Sequence, residues 1–201
     1  MASTMVSPKD VSELRARTGA GMMDCKRALE EASGNMDKAS EILRKKGIAK
    51  AEKRAGKVAS QGVVVSYLHH NGQVGALVEL NCETDFVART DDFQQLARDI
   101  ALHVASADPV GVNPEDVPAD ILDRERRIAE EQVAQEGKPE NIRAKIVEGK
   151  LKKFVAERTL IEQPFVKDDK KSVGQLMKEA SGKLGEAISV RRFARFKIGE
   201  A

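Results

Sequence analysis

The chain has 201 residues, which is enough for one large domain or two small ones. Charged residues make up 33% of the sequence, hydrophobic residues 41% and aromatic residues only 3%. This composition predicts a helix-rich protein with much solvated surface, and it argues against a large pocket lined by aromatic rings. The 34 basic and 32 acidic residues give a net charge of +2, so the chain has no overall attraction for nucleic acid or anionic lipid.

The sequence contains no recognisable membrane or secretion segment. Its apolar runs are short, as in Val63–Val65, and none could span a bilayer. The N-terminal stretch MASTMVSPKD lacks the apolar part of a signal peptide. Two cysteines do not make a disulfide framework. We therefore expect a cytoplasmic protein with reduced thiols that binds no membrane.

The first 47 residues predict a module of three short helices. Ser7 and Pro8 are typical of a helix start, and Gly19 is typical of a helix end. The residues from Gly19 to Met23 read as a turn, after which Asp24 opens the second helix. The third helix is predicted to stop at Gly47, and a basic helical connector follows over residues 48–61.

The clearest strand signal is a hairpin around Asn71-Gly72, a dipeptide that favours a type I′ turn. Pairing His70 with Gln73 sets the register of the two strands. That register places six residues on one apolar face, which we expect to be core: Val63, Val65, Tyr67, Ala76, Val78 and Leu80.

The remainder predicts helices around one more strand. A capped helix begins at Thr90, charged helices cover 119–135 and 139–157, and a last helix covers 172–184. The final strand, 187–198, is expected to turn Ile188, Val190, Ala194, Phe196 and Ile198 to one face, interrupted by Arg192. The predicted class is α+β: a helical module over 1–47, then a core domain over 62–201 in which helices cover a small antiparallel sheet.

No pattern predicts a catalytic, metal or cofactor site. His69 and His70 are adjacent in a predicted strand, so their side chains should point to opposite faces. There is no CxxC pair and no phosphate-binding loop. A nucleophilic pair of Cys82 with His103 is a distant alternative to a buried structural thiol. We expect neither an enzyme nor a bound cofactor.

Seven bases lie between Arg44 and Lys57, with Glu52 the only acid among them. Such a run could contact RNA phosphates, but no aromatic residue interleaves it. A solvated helix face is the favoured interpretation, and RNA binding remains the alternative.

Two segments suggest a contact with another protein. Thr84-Asp85-Phe86-Val87 lies between a strand and a capped helix, where loops often carry function. Either Phe86 folds back onto the core while Asp85 caps something locally, or the ring and carboxylate are offered to a partner. Arg15 with Met22 and Met23 could likewise form an adaptable contact surface or simply fill the core.

Two longer motifs carry a resemblance to a known family. RTGAGMMDCKRAL, from Arg17 to Leu29, resembles the N-terminal signature of translation elongation factor Ts. ELNCETDFVAR, from Glu79 to Arg89, resembles the second signature of that family, and Gln163–Val166 resembles a third recurrent element. The resemblance covers nearly the whole chain, from about Val11 to Ile198.

The resemblance implies a guanine nucleotide exchange factor for the GTPase elongation factor Tu, with an N-terminal bundle similar to ubiquitin-associated domains. It implies that Thr84, Asp85, Phe86 and Val87 approach the nucleotide-binding domain of the GTPase. There the ring would insert between two histidines and disturb the Mg²⁺ site. Residues matching Arg15, Met22 and Met23 would contact the same domain.

The chain resembles the short form of the family. Longer members carry two related sheet subdomains and an inserted coiled coil, whereas here one hairpin leads to one helical region and one final strand. We therefore expect a homodimer, held without a disulfide because the segment from Arg192 to Arg195 has no cysteine. The expected assembly with elongation factor Tu is a 2:2 complex without direct nucleic-acid contact. A ubiquitin-associated-type binding module remains the alternative function.

Overall fold

The computed structural model describes residues 6–54, 56–137 and 139–200. Positions 1–5 of the predicted N-terminal module, position 55 of the connector, and positions 138 and 201 of the core lie outside this range. The helices are α1 (Pro8–Thr18), α2 (Met22–Glu31), α3 (Met36–Arg54), α4 (Asp85–Ala88), α5 (Asp91–Ala107), α6 (Ala119–Gln135), α7 (Glu140–Arg158) and α8 (Val173–Leu184). The strands are β1 (Gln61–Leu68), β2 (Val74–Cys82), β3 (Pro164–Phe165), β4 (Asp168–Ser172) and β5 (Ser189–Lys197). This combination confirms the predicted α+β class.

The N-terminal helices form because their ends are capped and their apolar residues share one face. The Ser7 hydroxyl accepts the Asp10 amide at 3.1 Å, and the Asp10 carboxylate accepts the Ser7 amide at 3.3 Å. Gly19 ends α1 with a φ of +70°. The buried residues shared by the three helices are Val11, Leu14, Cys25, Ala28, Leu29, Ala32, Ala39 and Leu43.

Two predicted boundaries in this region are wrong. Helix α2 begins at Met22 rather than at Asp24, because Gly21 occupies the N-cap position in extended backbone. Helix α3 continues through Gly47 to Arg54. The good helix formers that follow Gly47 outweigh the cost of one glycine, which is about 1 kcal/mol.

The hairpin lies in the predicted register but has a different turn. The His69 amide donates to the Val74 carbonyl at 2.8 Å, which is the pair next to the predicted one of His70 with Gln73. The Gly72 amide donates to the His69 carbonyl at 2.8 Å, and Gly72 has a φ of +69° while Asn71 does not have a positive φ. The type I′ prediction is therefore wrong, because that turn needs positive φ at both central residues.

The turn also changes the relative directions of the side chains of His69 and His70. Strand β1 ends at Leu68, so the alternation of a strand does not extend to His69 and His70. Their ring centroids lie 4.2 Å apart, and the prediction of opposite faces is wrong. Over the residues that the structure describes, no group of three or more His, Cys, Asp or Glu side chains is arranged to hold a metal ion.

Strands β1, β2 and β5 form one sheet in that spatial order, with β2 at the centre. The predicted apolar face is confirmed, since Ala76, Val78 and Leu80 are buried and their β1 counterparts are half-buried. The opposite face carries exposed apolar residues, and we call it the outer sheet face: Val64, Leu68, Leu77 and Phe196.

The predicted face of β5 is wrong beyond its first residues. Val190 is buried, but the inward side then shifts to the odd-numbered Phe193 and Arg195, which leaves Phe196 exposed. Arg195 faces inward because its guanidinium is satisfied there. It lies 3.1 Å from the Asp108 carboxylate and donates to the Ala105 carbonyl at 3.1 Å.

The chain divides into two compact units, each assembled from separate stretches. The first, the helical unit, combines Met1–Gly62, Asn81–Gln94 and Met177–Ser189. The second, the sheet unit, combines Val63–Leu80, Gln95–Leu176 and Val190–Ala201. The division into domains at residues 47 and 61 stays a prediction.

Within the helical unit, α3 crosses α8 through two glycines. A Cβ atom on Gly182 would lie 2.6 Å from the carbonyl carbon and oxygen of Gly47, so the two backbones are in contact. Ion pairs flank the crossing, with Arg44 at 2.8 Å from Glu179 and Lys178 at 3.5 Å from Glu52. The close approach requires a hydrogen atom, rather than a side chain, at position 182.

In the sheet unit, the hydrogen bonds of the fully buried His103 select one tautomer of its ring. Its Nδ1 accepts the Val166 amide at 3.2 Å, so the proton is on Nε2, which lies 3.0 Å from the Gln163 carbonyl oxygen. The Gln163 amide group donates to the carbonyls of Ala107 and Glu157 at 3.2 and 2.8 Å. Burial is the main cause that lowers the pKa of His103 from 6.5.

No helix in the described part of the chain is sufficiently long and apolar to cross a membrane.

We predict that Gly182→Ala destabilises the protein by about 1–3 kcal/mol, because the new methyl group would force two backbones apart. Gly149→Ala in α7 is the matched control, since a Cβ there meets nothing within 4 Å. The control should be neutral or stabilising by roughly 0.5–1 kcal/mol. Urea unfolding followed by circular dichroism measures both changes, and equal effects of the two substitutions would contradict the close crossing.

We also predict that stability falls as the pH drops from about 7 to about 5. The lowered pKa of His103 means that the unfolded chain binds this proton more readily, so stability is complete above pH 6.5 and is lost on acidification. One proton limits the slope to about 1.4 kcal/mol per pH unit. His103→Gln should flatten the dependence of stability on pH in this window, whatever its effect on total stability. Urea midpoints measured across the pH range check this, and a slope equal to that of the wild type would contradict the role of His103.

Candidate partner-binding site

The turn after β2 presents a phenyl ring to solvent. Thr84 caps α4, its hydroxyl accepting the Val87 amide at 3.3 Å. Val87 and Ala88 are buried, at 8% and 5% exposure, whereas Phe86 between Asp85 and Val87 is 80% exposed. The alternative in which Phe86 folds back onto the core is therefore wrong. Val87 supports the turn from inside and does not offer its side chain at the surface.

Asp85 also lies at the surface. Its carboxylate lies 2.9 Å from the Arg89 guanidinium, and both side chains are largely exposed. The N-cap of α4 is Thr84, so the prediction that Asp85 acts as a local cap is wrong for this helix. A surface ion pair of this kind contributes about 0–1 kcal/mol, so a partner could replace Arg89 at little cost.

Two glutamates fix the base of the turn. The Glu186 carboxylate accepts the amides of Glu83 and Thr84 at 3.1 and 3.0 Å and the Thr84 hydroxyl at 2.6 Å. In return, the Glu83 carboxylate accepts the Ala187 amide at 2.7 Å. That bond is the main cause that lowers the pKa of Glu83, and the Arg54 guanidinium at 2.8 Å adds to it. Glu83 therefore stays ionised well into acid.

The N-terminal candidates form a second exposed group. Arg15 is exposed on the last turn of α1, and Met22 and Met23 begin α2 at 45% and 64% exposure. The adjacent Asp24 is held by Lys50 at 3.1 Å and Arg27 at 2.6 Å. The hydrogen bond from Lys50 is the main cause that lowers the pKa of Asp24. Neither methionine fills the core, which leaves both side chains available for contact.

Both groups belong to the helical unit, although about 60 residues of sequence separate them. The interpretation of the basic run as a solvated helix face gains support, because most of its members pair with acids of the same unit. These pairs are Arg44 with Glu179, Lys46 with Glu31, Lys50 with Asp24, and Arg54 and Lys57 with Glu83.

The Cys82–His103 pair finds no support in the structure. The Cys82 thiol is buried and donates to the Thr84 carbonyl at 3.1 Å, and burial is the main cause that raises its pKa. Both ring nitrogens of His103 are occupied by Gln163 and Val166. A buried thiol whose pKa is raised and whose proton is donated to a carbonyl oxygen is poorly suited to act as a nucleophile.

Sequence reasoning missed Glu186. It is more than 100 positions from Thr84, and an isolated glutamate after a glycine carries no motif. Only its three hydrogen bonds reveal that it belongs to the turn.

Comparison with known proteins assigns the chain to a family. The family model described as elongation factor TS matches residues 4–200. A protein named elongation factor Ts from Carboxydothermus hydrogenoformans is 55% identical over 196 residues, covering 98% of this chain and 90% of the relative. One of the same name from Thermosipho melanesiensis is 54% identical over 196 residues, covering 98% of this chain and 100% of the relative. One from Desulfosudis oleivorans is 52% identical over 195 residues, covering 97% and 98%.

These matches span nearly the whole chain at an identity that fixes the family. Membership implies a nucleotide exchange factor that acts on elongation factor Tu in translation. The chain therefore belongs to the elongation factor Ts family of translation elongation factors.

Proposed function

We propose that this chain promotes GDP release from elongation factor Tu by inserting the Asp85–Phe86 turn beside the Mg²⁺ site of the GTPase. The observation that carries the proposal is a phenyl ring 80% exposed on a turn whose neighbours Val87 and Ala88 are buried. An aromatic side chain held away from its own core is costly unless a partner covers it, and aromatic residues dominate protein interfaces.

The thermodynamic basis is linkage between two ligands of one GTPase. The exchange factor and the nucleotide each bind the GTPase, and each weakens the binding of the other by the same factor. Every 1.4 kcal/mol of coupling raises the nucleotide dissociation constant about tenfold. Nothing in this scheme requires a bond of the substrate to change, so we propose that the chain is not an enzyme.

The Mg²⁺ of the GTPase is the point where a small displacement has a large effect. The ion bridges phosphate oxygens and is the largest local charge that holds the diphosphate. Phe86 is neutral and cannot replace the metal, but a ring pushed into the surrounding framework can move the groups that position it. Asp85 adds a carboxylate next to the ring, already at the surface beside Arg89.

Arg15, Met22 and Met23 supply a second contact with the same GTPase domain in this proposal. Methionine side chains are flexible and polarisable, which suits a surface that must fit a partner. Their exposure is compatible with that role. A second contact would hold the factor in place while the turn at Phe86 enters.

We propose further that the working form is a noncovalent homodimer, which binds two GTPase molecules in a cytoplasmic 2:2 complex. The outer sheet face offers an exposed apolar surface to a second copy, with Phe196 at 71%, Leu68 at 70% and Val64 at 68% exposure. Gly75 has no side chain beneath Leu68, whose Cδ1 would lie 3.4 Å from a Cβ there. Cys25 and Cys82 are both buried, so neither supplies a disulfide between protomers.

We expect Phe86→Ala to slow factor-stimulated GDP release at least about tenfold, the loss typical of an aromatic anchor. Release of fluorescent GDP from purified elongation factor Tu measures this directly. The far-UV circular dichroism should not change, because the ring is exposed. Ile142→Ala on α7 is the control, an apolar side chain 40% exposed in the sheet unit.

Unchanged release with the Phe86 variant would refute the turn as the working element. If residues 1–47 alone bound the partner and the full chain never affected release, the binding-module alternative would hold instead.

We expect Phe196→Glu to convert the dimer to a monomer, since two buried charges on one self-contacting face repel and lose hydration. Light scattering at micromolar concentration reports the mass. Val58→Glu is the control, because Val58 is an apolar residue that is 83% exposed and belongs to the helical unit rather than to the outer sheet face. A wild-type chain that is already monomeric at this concentration would overturn the dimer.

A further inference from the structure

Glu186 is attached to the turn at Phe86 by hydrogen bonds that leave the turn little freedom. Its carboxylate meets two main-chain amides, of Glu83 and Thr84, and the Thr84 hydroxyl. All three groups are donors, so only a side chain that accepts at both oxygens satisfies them. Hydrogen bonds to a carboxylate are stronger than those between neutral groups.

The Thr84 hydroxyl links Glu186 to the helix that carries Phe86. A hydroxyl has one proton, and here that proton is committed to Glu186 at 2.6 Å. A lone pair of the same oxygen is thereby directed toward the Val87 amide, which it caps at 3.3 Å. Without Glu186 the hydroxyl could rotate and the cap would weaken.

Helix α4 has four residues, too few to persist without its cap. Phe86 is its second residue and takes its direction from that single turn. The orientation of the ring therefore depends on Thr84, and the orientation of Thr84 depends on Glu186.

Glu186 is itself held in place from the other side. Gly185, with a φ of +77°, reverses the chain after α8, and the Ser181 hydroxyl donates to the Glu186 carbonyl. The Ala187 amide donates to the Glu83 carboxylate at 2.7 Å. Each of the two segments therefore contributes a glutamate side chain that accepts main-chain amides of the other. Such reciprocal bonding fixes the separation and the angle of the two segments.

We propose that Glu186 is a positioning residue for nucleotide exchange: through Thr84 it holds the Phe86 ring in its protruding direction before the partner arrives. The inference rests on the proposed function of Phe86. A ring that is already oriented spends less binding free energy on ordering, so more remains to disturb the nucleotide site.

The experiment measures the rate of GDP release from elongation factor Tu against the concentration of the factor. Glu186→Ala should lower the maximal rate about tenfold, and it should change the half-saturating concentration by less than about threefold, because the contacts of Arg15, Met22 and Met23 remain. Glu186→Gln keeps one acceptor oxygen and should recover part of the rate. Glu52→Gln, which removes an exposed carboxylate 3.5 Å from Lys178, is the matched control and should behave as wild type.

Hydrogen exchange supplies a readout that does not depend on the GTPase. In Glu186→Ala the amides of Thr84 and Val87 should exchange faster, while those of α1 should not change. Combining Glu186→Ala with Phe86→Ala separates the two proposals, because a residue that acts through the ring adds less than about twofold once the ring is gone.

Each result then has one meaning. If Phe86→Ala slows release while Glu186→Ala and Glu186→Gln release GDP at the wild-type rate, the positioning role is wrong and the function of the turn stands. If the two effects multiply, Glu186 acts independently of the ring and the proposal is overturned. If Phe86→Ala has no effect, the proposed function fails first. Should the alanine variant not fold, the glutamine variant and its exchange rates decide the question.

Discussion

Keeping an aromatic ring in water is unfavourable, and the turn at Phe86 persists because its immediate neighbours are tied to the protein. Val87 and Ala88, which follow Phe86 in the sequence, are buried, and Thr84, which precedes it, is hydrogen-bonded to Glu186. The ring itself makes little contact with its own chain, so the free energy that maintains its position comes from groups around it. Function at this site would therefore depend on anchoring as much as on the exposed residues.

The crossing of α3 and α8 likewise depends on a few contacts. Two glycines allow the backbones to touch, and the ion pair of Lys178 with Glu52 beside them is of the exposed kind that contributes little alone. The crossing links the N-terminal helices, which carry Arg15 and the two methionines, to the helix that precedes Glu186. Packing of this kind places two surface groups from distant parts of the sequence within one compact unit.

Most elements followed from local rules, and two of the errors share a physical origin. Capping residues and helical periodicity located α1 and α5, and strand alternation identified the buried face of the hairpin. Two of the errors occurred where distant groups contribute to the local conformation. Helix α3 passes through Gly47 toward a crossing with α8, and β5 turns Arg195 inward because Asp108 and the Ala105 carbonyl satisfy it.

The sequence by itself determined the α+β class, the order of the long helices, of the hairpin strands and of β5, and, through its two signature motifs, the family. These features depend on residues that are close together along the chain or on patterns that a motif preserves. Helix α4 and strand β4 were not predicted. Only the tertiary structure decided that Phe86 faces solvent rather than the core, and only it revealed that Glu186 holds the turn. Exposure and hydrogen bonding between residues 102 positions apart depend on how the whole chain packs, which no local pattern encodes.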